Sequence, residues 1–318
     1  MVDQSRPKYS VILPAHNRSD VIGYAIESVL YQTENDFELL IAGDGCTDNT
    51  EEVVNRYSHE KRLQWFDFPK TEGYGYANKN KAFKKATGQY IAFMAHDDIW
   101  FPDHLEKLGK ILNTNGEVDL VYSRPLWVDE TGLMLPSAFN LDNPSAIEFF
   151  LNAENTIPAS NFLYRQSLFE KIGYWDETLP ESADWDFWKR AIRSSPHRNY
   201  YFETQPTIFH FKANWKTIPA WPVGLTELVR LMKKKQDVLP SPFLVPISEK
   251  KTEQEVFWQK IKWQEGWLNS IRKAIPDFFD HLIQTELTNL VQRSPELTPK
   301  PSFLFRVKRK LRMLLRGS

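Results

Sequence analysis

Short apolar runs alternate with amphipathic stretches along the first part of the chain. The runs have the length of strands, and their successive apolar positions are typical of strands buried on both faces of a sheet. They predict strands at 9–14, 37–42, 63–68, 90–94 and 120–122. The stretches between them predict helices at 21–31, 49–57, 76–87 and 102–113. This alternation of strand and helix predicts right-handed crossovers and a mainly parallel sheet.

The pattern becomes irregular after Ser123, where several prolines interrupt it. This region predicts strands at 161–164 and 207–211, and helices at 166–172 and about 180–195. From about Thr217 the apolar residues recur at helical spacing without strand-like runs, as in the stripe formed by Leu225, Leu228, Val229 and Met232. We therefore expect an α/β domain over residues 1–215 and a helical C-terminal extension over residues 216–318.

Two adjacent acids, Asp97 and Asp98, closely follow the apolar run at 90–94. Buried carboxylates at the end of a strand are costly unless a cation or a partner lies there, and ligands of open α/β sheets bind at that edge. Hard oxygen ligands suit Mg²⁺ or Mn²⁺, and such an ion suits a diphosphate. For an isolated acidic pair, however, capping of the helix near Pro102 is the more common role.

Composition narrows the class of protein. With 318 residues, 42% hydrophobic and 25% charged, the chain has an ordinary globular composition. A net charge of −1 gives no case for nucleic-acid binding. The single cysteine, Cys46, cannot form an internal disulfide framework. Without a signal-like apolar segment or a membrane-spanning apolar stretch, the sequence predicts a cytoplasmic protein.

The last segment, residues 302–318, has six basic residues and no acid, with an apolar stripe between them. A basic amphipathic helix of this kind suits peripheral contact with an anionic membrane, here the inner face of the cell membrane. A terminal helix that packs on the domain with a solvated basic rim explains the pattern equally well.

Five motifs stand in one order along the chain. They are Ser-Val-Ile-Leu-Pro at 10–14 with His-Asn-Arg at 16–18; Gly-Asp-Gly-Cys-Thr-Asp-Asn-Thr at 43–50; Ala-Asn at 77–78 with Ala-Thr-Gly-Gln-Tyr-Ile-Ala-Phe at 86–93; Ala-His-Asp-Asp at 95–98; and Asp-Trp-Asp-Phe-Trp at 184–188. In this order the chain resembles the inverting glycosyltransferases of family 2 over roughly residues 8–212.

The resemblance implies a GT-A fold, a Rossmann-like, mostly parallel sheet flanked by helices. It implies transfer of a hexose from a nucleoside-diphosphate sugar, UDP- or dTDP-linked, to the hydroxyl of a glycan or a lipid-linked acceptor. The implied cofactor is Mg²⁺ or Mn²⁺, and no nucleic acid is involved.

Position by position, the resemblance also implies site residues. Asp184 would be the general base, and Asp44 would bind the nucleotide base. The expected nucleotide-sugar-binding residues are Pro14, His16, Asn17, Arg18, Asp44, Asn78, His96 and Asp97. The expected metal ligands are Asp97, Asp98 and His210.

The chemistry agrees with these roles. Sugar transfer needs a leaving group whose developing charge is neutralised, and a carboxylate that takes the acceptor proton. The sequence marks no second acid as a nucleophile beside the anomeric carbon, so we expect a single displacement with inversion.

Three positions depart from the family pattern, because Gly43, Ala95 and Ala183 replace acids. Each change keeps a neighbouring acid, which favours an active enzyme with altered metal use. A catalytically degenerate, glycosyltransferase-like binding protein is the alternative. A nucleotidyltransferase is disfavoured, because the loop at 16–18 is a poor phosphate loop.

Several residues also have plain structural interpretations. Asp44 could anchor a turn, and Asp184 could cap a helix. The lysines at 79, 81, 84 and 85 predict a solvated helix face, from which Lys79 or Lys81 could reach the diphosphate. Trp100 and Phe101 are expected to line the acceptor cleft.

Overall fold

The computed structural model describes residues 6–137, 139–212, 240–248 and 250–280. Its strands are β1 (Tyr9–Ala15), β2 (Phe37–Asp44), β3 (Leu63–Phe68), β4 (Tyr90–Phe93), β5 (Ile99–Trp100), β6 (Leu120–Ser123), β7 (Leu126–Val128), β8 (Met134–Pro136), β9 (Phe162–Arg165), β10 (Tyr200–Glu203) and β11 (Ile208–Phe211). Its helices are α1 (Ile22–Leu30), α2 (Thr50–Asn55), α3 (Tyr76–Phe83), α4 (His104–Thr114), α5 (Pro144–Asn152), α6 (Gln166–Ile172), α7 (Ala183–Arg193), α8 (Glu253–Trp263) and α9 (Trp267–Ala274). Short 3₁₀ turns occupy Ala159–Asn161 and Ser241–Phe243, and a π-helical turn follows α9 at Ile275–Asp280.

The central sheet has seven strands in the order β10-β6-β9-β4-β1-β2-β3. The strands β4, β1, β2 and β3 are mutually parallel, as are β10 and β6. Only β9 runs antiparallel to its neighbours, β4 and β6. The predicted mainly parallel α/β sheet is therefore confirmed.

A second sheet of four strands has the order β5-β11-β7-β8. Its strand β11 pairs antiparallel with β5 and parallel with β7. The short loop from β4 to β5 connects the central sheet to this second sheet, and it contains Asp97 and Asp98.

The core lies on both faces of the central sheet. In β1, Val11 and Leu13 belong to one buried cluster, and Ile12 belongs to the other. Both faces are covered by helices, which explains why the sequence shows continuous apolar runs instead of alternation. Gly88 lets the chain enter β4 close to β1, since an added Cβ would lie 2.6 Å from the Ser10 backbone nitrogen.

A third core cluster joins the C-terminal helices to the second sheet. Phe209 of β11 packs against Phe257 of α8 and Trp267 of α9, with ring centroids 4.8 and 5.4 Å apart. The side chain of Arg272 makes two 2.7 Å contacts with the Asp103 carboxylate, just before α4. The predicted helical character of the extension is confirmed for α8 and α9.

Two predicted features, the apolar stripe at 225–232 and the basic segment at 302–318, lie outside the described residues. Within the described ranges, no helix is both long enough and apolar enough to cross a membrane.

Candidate functional site

Loops from the C-terminal ends of β1, β2 and β4 meet at one edge of the central sheet. His16 Nδ1 lies 2.7 Å from the Asp44 backbone oxygen, which joins the first two loops. Arg18 Nε donates to His96 Nε2 at 3.2 Å, and His96 Nδ1 lies 3.3 Å from the Pro14 backbone oxygen. These contacts bring together five of the predicted nucleotide-sugar-binding residues: Pro14, His16, Arg18, Asp44 and His96.

Asn17 fastens the first loop to the second. Its backbone is in the left-handed region, with φ of 50°, which asparagine tolerates better than most residues. Its Oδ1 atom accepts hydrogen bonds from the amides of Thr47, at 2.7 Å, and Asp48, at 3.3 Å. Asn17 therefore shapes this loop through its backbone and its side chain together.

Asp44, the last residue of β2, is a buried carboxylate with several donors around it. Its Oδ1 atom accepts from the Thr71 amide at 2.9 Å, the Thr71 hydroxyl at 2.8 Å and Asn78 Nδ2 at 2.6 Å. Lys70 forms an ion pair with Oδ2. Burial alone would raise the pKa of Asp44, but the bonds from Lys70 and Thr71 lower it below its ordinary value. Asp44 is therefore held as a carboxylate.

The chain passes very close to this carboxylate at Gly75, just before α3. Gly75 has φ of +72°, and a Cβ there would lie 2.8 Å from Asp44 Oδ2. Only glycine fits both conditions without strain. Sequence reasoning found Asp44 and Asn78 but missed Lys70, Thr71 and Gly75, which lie in a loop with no motif of its own.

The acidic pair divides into two environments. Asp98 is buried; its Oδ2 atom accepts from the Ser160 hydroxyl at 2.5 Å, and its Oδ1 atom lies 2.8 Å from His210 Nδ1. Asp97 is 3% exposed, and its backbone oxygen accepts from Gln254 Nε2 of α8 at 3.0 Å. Of the three predicted metal ligands, Asp98 and His210 are therefore in direct contact, and Asp97 precedes Asp98 in the sequence.

Because both Asp98 oxygens bond protein groups, its role resembles that of a carboxylate that orients a metal-binding histidine. With Nδ1–H donated to Asp98, His210 presents Nε2 as its acceptor atom. Within the described residues, no group of three or more His, Cys, Asp or Glu side chains is close enough to hold a metal ion.

Asp184 lies in the first turn of α7. Ser182, the residue before α7, has φ of 60°, a conformation that turns the chain sharply into the helix. Asp184 Oδ1 accepts from the Trp185 amide at 2.8 Å. The hydroxyl of Tyr76, from α3, lies close to this helix start: burial raises the pKa of Tyr76 to about 12, and the Ala183 and Ser182 amides counter the rise. Asp184 is therefore near α3, the helix that begins beside Asp44.

Two aromatic predictions were wrong. Trp100 and Phe101 are fully buried and do not line a cleft. Trp100 stacks on His104 with ring centroids 4.2 Å apart, and its Nε1 atom donates to the Ser160 backbone oxygen at 3.0 Å. The pairing of β5 with β11 turns both rings into the core.

The solvated face predicted for the α3 lysines was wrong for Lys79. Lys81, Lys84 and Lys85 are exposed, whereas Lys79 is partly buried among aromatic rings. Burial lowers the pKa of Lys79 to about 8; Asp184 and Asp44 oppose this change and Lys70 adds to it. The charges of Asp184 and Asp44, the two carboxylates identified from the sequence, therefore both act on Lys79.

The sequence model described as Glycosyl transferase family 2 matches residues 10–173, more than half of the chain. An uncharacterized glycosyltransferase, MJ1057, of Methanocaldococcus jannaschii is 31% identical over 197 residues, covering 60% of this chain and 66% of that protein. An uncharacterized glycosyltransferase of Rickettsia felis is 29% identical over 195 residues, covering 60% of this chain and 32% of that protein. The matches thus span 66% and 32% of the length of these two relatives.

Solved structures share the fold. The S. aureus TarS fragment 1-349 in complex with UDP-GlcNAc has a TM-score of 0.56 at 17% identity, covering 97% of this chain and 89% of that one. The mannosyltransferase PcManGT of Pyrobaculum calidifontis, in complex with GDP-Man and Mn²⁺, has a TM-score of 0.51 at 18% identity, covering 97% and 86%. The predicted GT-A type of fold, with its helical C-terminal region, is confirmed.

Proposed function

Because this chain belongs to glycosyltransferase family 2, we propose that it transfers a hexose from a UDP- or dTDP-sugar to the hydroxyl of a glycan or a lipid-linked acceptor, with inversion. One observation carries the proposal: Asp44 ends β2 and Asp97 and Asp98 follow β4, two strands that flank β1 and run parallel to it, so the three carboxylates share one edge of the central sheet. His210 of β11 bonds Asp98 at this edge, and α3 links Asp44 to Asp184. This is the edge at which open α/β sheets bind nucleotides. The complexes of TarS with UDP-GlcNAc and of PcManGT with GDP-Man support a nucleotide-sugar donor.

The donor nucleotide would lie along the first two loops. Asp44 Oδ2 is paired with the half-exposed side chain of Lys70, so a nucleobase N–H could share this oxygen or replace Lys70. Pro14, His16 and Asn17 would shape the wall of the nucleotide site, and Arg18 with His96 would face the phosphates. Asn78, bonded to Asp44, would hold its carboxylate in place.

A divalent ion at the end of β4 is part of this proposal. Asp97 and the Nε2 atom of His210 would hold Mg²⁺ or Mn²⁺, with Asp98 orienting the imidazole. This refines the ligand set expected from the sequence, in which Asp98 was itself a ligand. Carboxylate oxygen suits both ions, whereas Mg²⁺ is bound through carboxylates and waters, so an imidazole ligand favours Mn²⁺ over Mg²⁺. When bound, the ion supplies the positive charge that neutralises a departing diphosphate.

Asp184 would accept the proton of the acceptor hydroxyl. The acceptor oxygen forms a bond to the anomeric carbon while the bond from that carbon to the diphosphate oxygen breaks. The nucleoside diphosphate leaves with the bonding electrons, and the acceptor proton passes to the Asp184 carboxylate. One displacement inverts the anomeric configuration.

Calorimetric titration of UDP, dTDP and GDP, with and without Mn²⁺, tests the donor site. We expect metal-dependent binding of one nucleotide by the wild type and its loss in Asp97→Asn. Asp36→Asn is a matched control, because Asp36 is exposed and precedes β2 at the opposite edge of the sheet. Absence of binding by every nucleotide would contradict the proposal. Binding without transfer of any sugar would favour the degenerate binding protein.

We also propose a cytoplasmic protein that docks on the inner face of the membrane through residues 302–318, on the basis of their charge and apolar stripe. Deletion of this segment is expected to lower co-sedimentation with anionic liposomes and to leave nucleotide binding unchanged. An unaltered pellet fraction would contradict the membrane contact.

A further inference from the structure

Positive charge is concentrated in one short part of the chain. The segment from residue 68 to residue 96 contains lysines at 70, 79, 81, 84 and 85 and a single acid, Glu72. The whole chain is nearly neutral, with 40 basic and 41 acidic residues and a net charge of −1. The excess of lysine therefore belongs to α3 and to the loop that precedes it, and not to the protein as a whole.

A pair of stacked rings holds two of these lysines side by side. The Phe66 and Phe68 rings of β3 lie 5.8 Å apart between centroids, with their planes 6° from parallel. Lys81 Nζ is 5.0 Å from the ring centre of Phe68, and Lys85 Nζ is 5.1 Å from that of Phe66. Cations within about 6 Å of a ring centre are attracted to the face of the ring. Because β3 is the last strand of the central sheet, the two ammonium groups lie at the rim of the molecule.

The lysines extend from this rim to the candidate donor site. Lys81 Nζ donates to Asn78 Oδ1 at 2.9 Å, and Asn78 Nδ2 donates to Asp44 at 2.6 Å. Lys70 forms an ion pair with the same Asp44 carboxylate. Lys84 follows Lys81 by three residues, which makes it the neighbour of Lys81 on the next turn. These contacts join the lysines into one continuous surface.

An exposed aromatic ring lies beside them. Tyr74 is 58% exposed, and its ring centre is 6.2 Å from that of Tyr76 at the start of α3. The next residue, Gly75, lies against Asp44, the partner of Lys70. Tyr74 is therefore part of the same surface. We call this surface the basic face, and its exposed members are Lys70, Tyr74, Lys81, Lys84 and Lys85.

We propose that the basic face docks this protein on an anionic lipid bilayer. Lysine ammonium groups are attracted to anionic headgroups, and tyrosine is enriched at the boundary between headgroups and acyl chains. A soluble polyanion would use the charges alone and leave the Tyr74 ring in water. The combination of exposed lysines with an exposed tyrosine is therefore matched best by a bilayer surface.

The basic face is a second contact, separate from the one proposed for residues 302–318. The docking itself does not depend on the reaction. Its consequence does rest on the proposed function: because Lys70 and Gly75 both lie against Asp44, docking here would hold the donor-binding edge of the sheet close to the bilayer. A lipid-linked acceptor would then be presented to that edge.

Co-sedimentation of the full chain with vesicles tests the docking. We expect the double variant Lys84→Gln/Lys85→Gln to bind vesicles of phosphatidylcholine with phosphatidylglycerol about tenfold more weakly than the wild type, because two attracted charges are lost. Lys61→Gln/Lys110→Gln is the control, since both lysines are exposed outside the basic face and the change in charge is the same. Equal vesicle affinities in the two double variants would overturn the proposal.

A plain structural role for these two lysines gives a different result. Lys84 and Lys85 follow the last residue of α3, where cations are favoured by the helix dipole. If that were their only role, the double variant would be less stable in urea unfolding and would still pellet with the vesicles like the control. This outcome would also overturn the docking.

The tyrosine distinguishes a bilayer from a soluble polyanion. We expect Tyr74→Ser to bind the anionic vesicles several-fold more weakly, and Tyr74→Trp to bind them at least as well as the wild type, because tryptophan also favours the interface. Tyr31→Ser is the control, since Tyr31 is 51% exposed at the end of α1. If Tyr74→Ser binds the vesicles like Tyr31→Ser, the ring does not enter the bilayer and the proposal is overturned.

Two titrations of the same proteins complete the test. Loss of polyphosphate binding in Lys84→Gln/Lys85→Gln, with vesicle binding unchanged, would assign the basic face to a soluble anion and overturn the bilayer. Titration with UDP, dTDP and GDP reports on the donor site separately, and we expect both double variants to bind nucleotide like the wild type. If the wild type binds no nucleotide while the vesicle results are as expected, the proposed function fails and the docking stands.

Discussion

Asp98 and His210 are 112 residues apart in sequence, yet the Asp98 Oδ1 atom lies 2.8 Å from His210 Nδ1. The contact ties the end of the central strand β4 to β11 of the second sheet. Ser160 bonds the other oxygen of the same carboxylate at 2.5 Å, so the imidazole is oriented by a group that is itself fixed. The second sheet therefore contributes directly to the candidate site at the edge of the first.

Replacing His210 with asparagine should separate the structural and metal-binding parts of this contact. The asparagine amide can still donate a hydrogen bond to Asp98, but the Nε2 atom proposed to bind the metal is lost. We expect stability within about 1 kcal/mol of the wild type, because the hydrogen bond survives. Nucleotide-dependent Mn²⁺ binding should fall at least about tenfold, because the nitrogen proposed as a metal ligand is removed.

Ser160→Ala is the matched comparison. It deletes the hydroxyl that bonds Asp98 and accepts from the Ala95 amide at 3.0 Å. It should cost about 1–3 kcal/mol of stability in urea unfolding, while Mn²⁺ binding weakens less than in His210→Asn. Unchanged Mn²⁺ affinity in His210→Asn would remove His210 from the metal site.

Asp184→Asn should abolish transfer while leaving nucleotide binding intact. The amide cannot accept the acceptor proton, so we expect kcat to fall by about 10²–10⁴, the usual contribution of a positioned base. Transfer is measured with the donor that calorimetry identifies. Asp186→Asn, two residues along α7, is the control; Asp186 pairs with Arg190 at 2.7 Å. Normal turnover by Asp184→Asn would remove the base assignment.

Much of this architecture could be predicted from the sequence, for a physical reason. Five apolar runs predicted five strands of the central sheet, because strands covered on both faces need apolar residues at successive positions. The strands β5, β7, β8 and β10 were missed. They are two to four residues long, too short for any period to show.

The site was predictable only where strand ends mark it. Asp44 and Asp97 stand two and three residues after the ends of apolar runs, so their place at the sheet edge followed from the pattern. The surroundings of Lys79 could not be predicted, because Trp175, whose ring lies against it, is in a loop that sequence periodicity cannot place. The prediction that Trp100 and Phe101 line an acceptor cleft was wrong for a similar reason. The pairing of β5 with β11, which buries both side chains, is not visible in the sequence.

Gly75→Ala should damage the nucleotide site through Asp44. The new Cβ would lie 2.8 Å from Asp44 Oδ2, at a residue with φ of +72°. Gly173→Ala is a close control, since Gly173 has φ of +78° and nothing within 4 Å of an added Cβ. We expect both to lose about 1–2 kcal/mol from backbone strain. Only Gly75→Ala should also weaken nucleotide binding, and equal nucleotide affinities in the two variants would contradict a binding role for Asp44.

Gln254 connects the C-terminal helices to the acidic loop. It lies on α8, 157 residues from Asp97, and its buried amide donates to the Asp97 backbone oxygen at 3.0 Å. Gln254→Leu leaves that buried oxygen without this donor, so we expect about 1–3 kcal/mol less stability in urea unfolding. Because the affected peptide carries Asp97, the Mn²⁺-dependent affinity for nucleotide should fall as well.

Gln259→Leu tests the same replacement away from the site. Gln259 is exposed on α8 and bonds Glu255 at 3.1 Å, so its loss should change stability by less than about 0.5 kcal/mol. A Gln254→Leu protein that is destabilised but binds Mn²⁺ and nucleotide like the Gln259→Leu control would show that α8 only supports the fold. Reduced binding in Gln254→Leu alone, measured well below its unfolding temperature, would instead make the C-terminal helices part of the functional site, because one hydrogen bond transmits their position to Asp97.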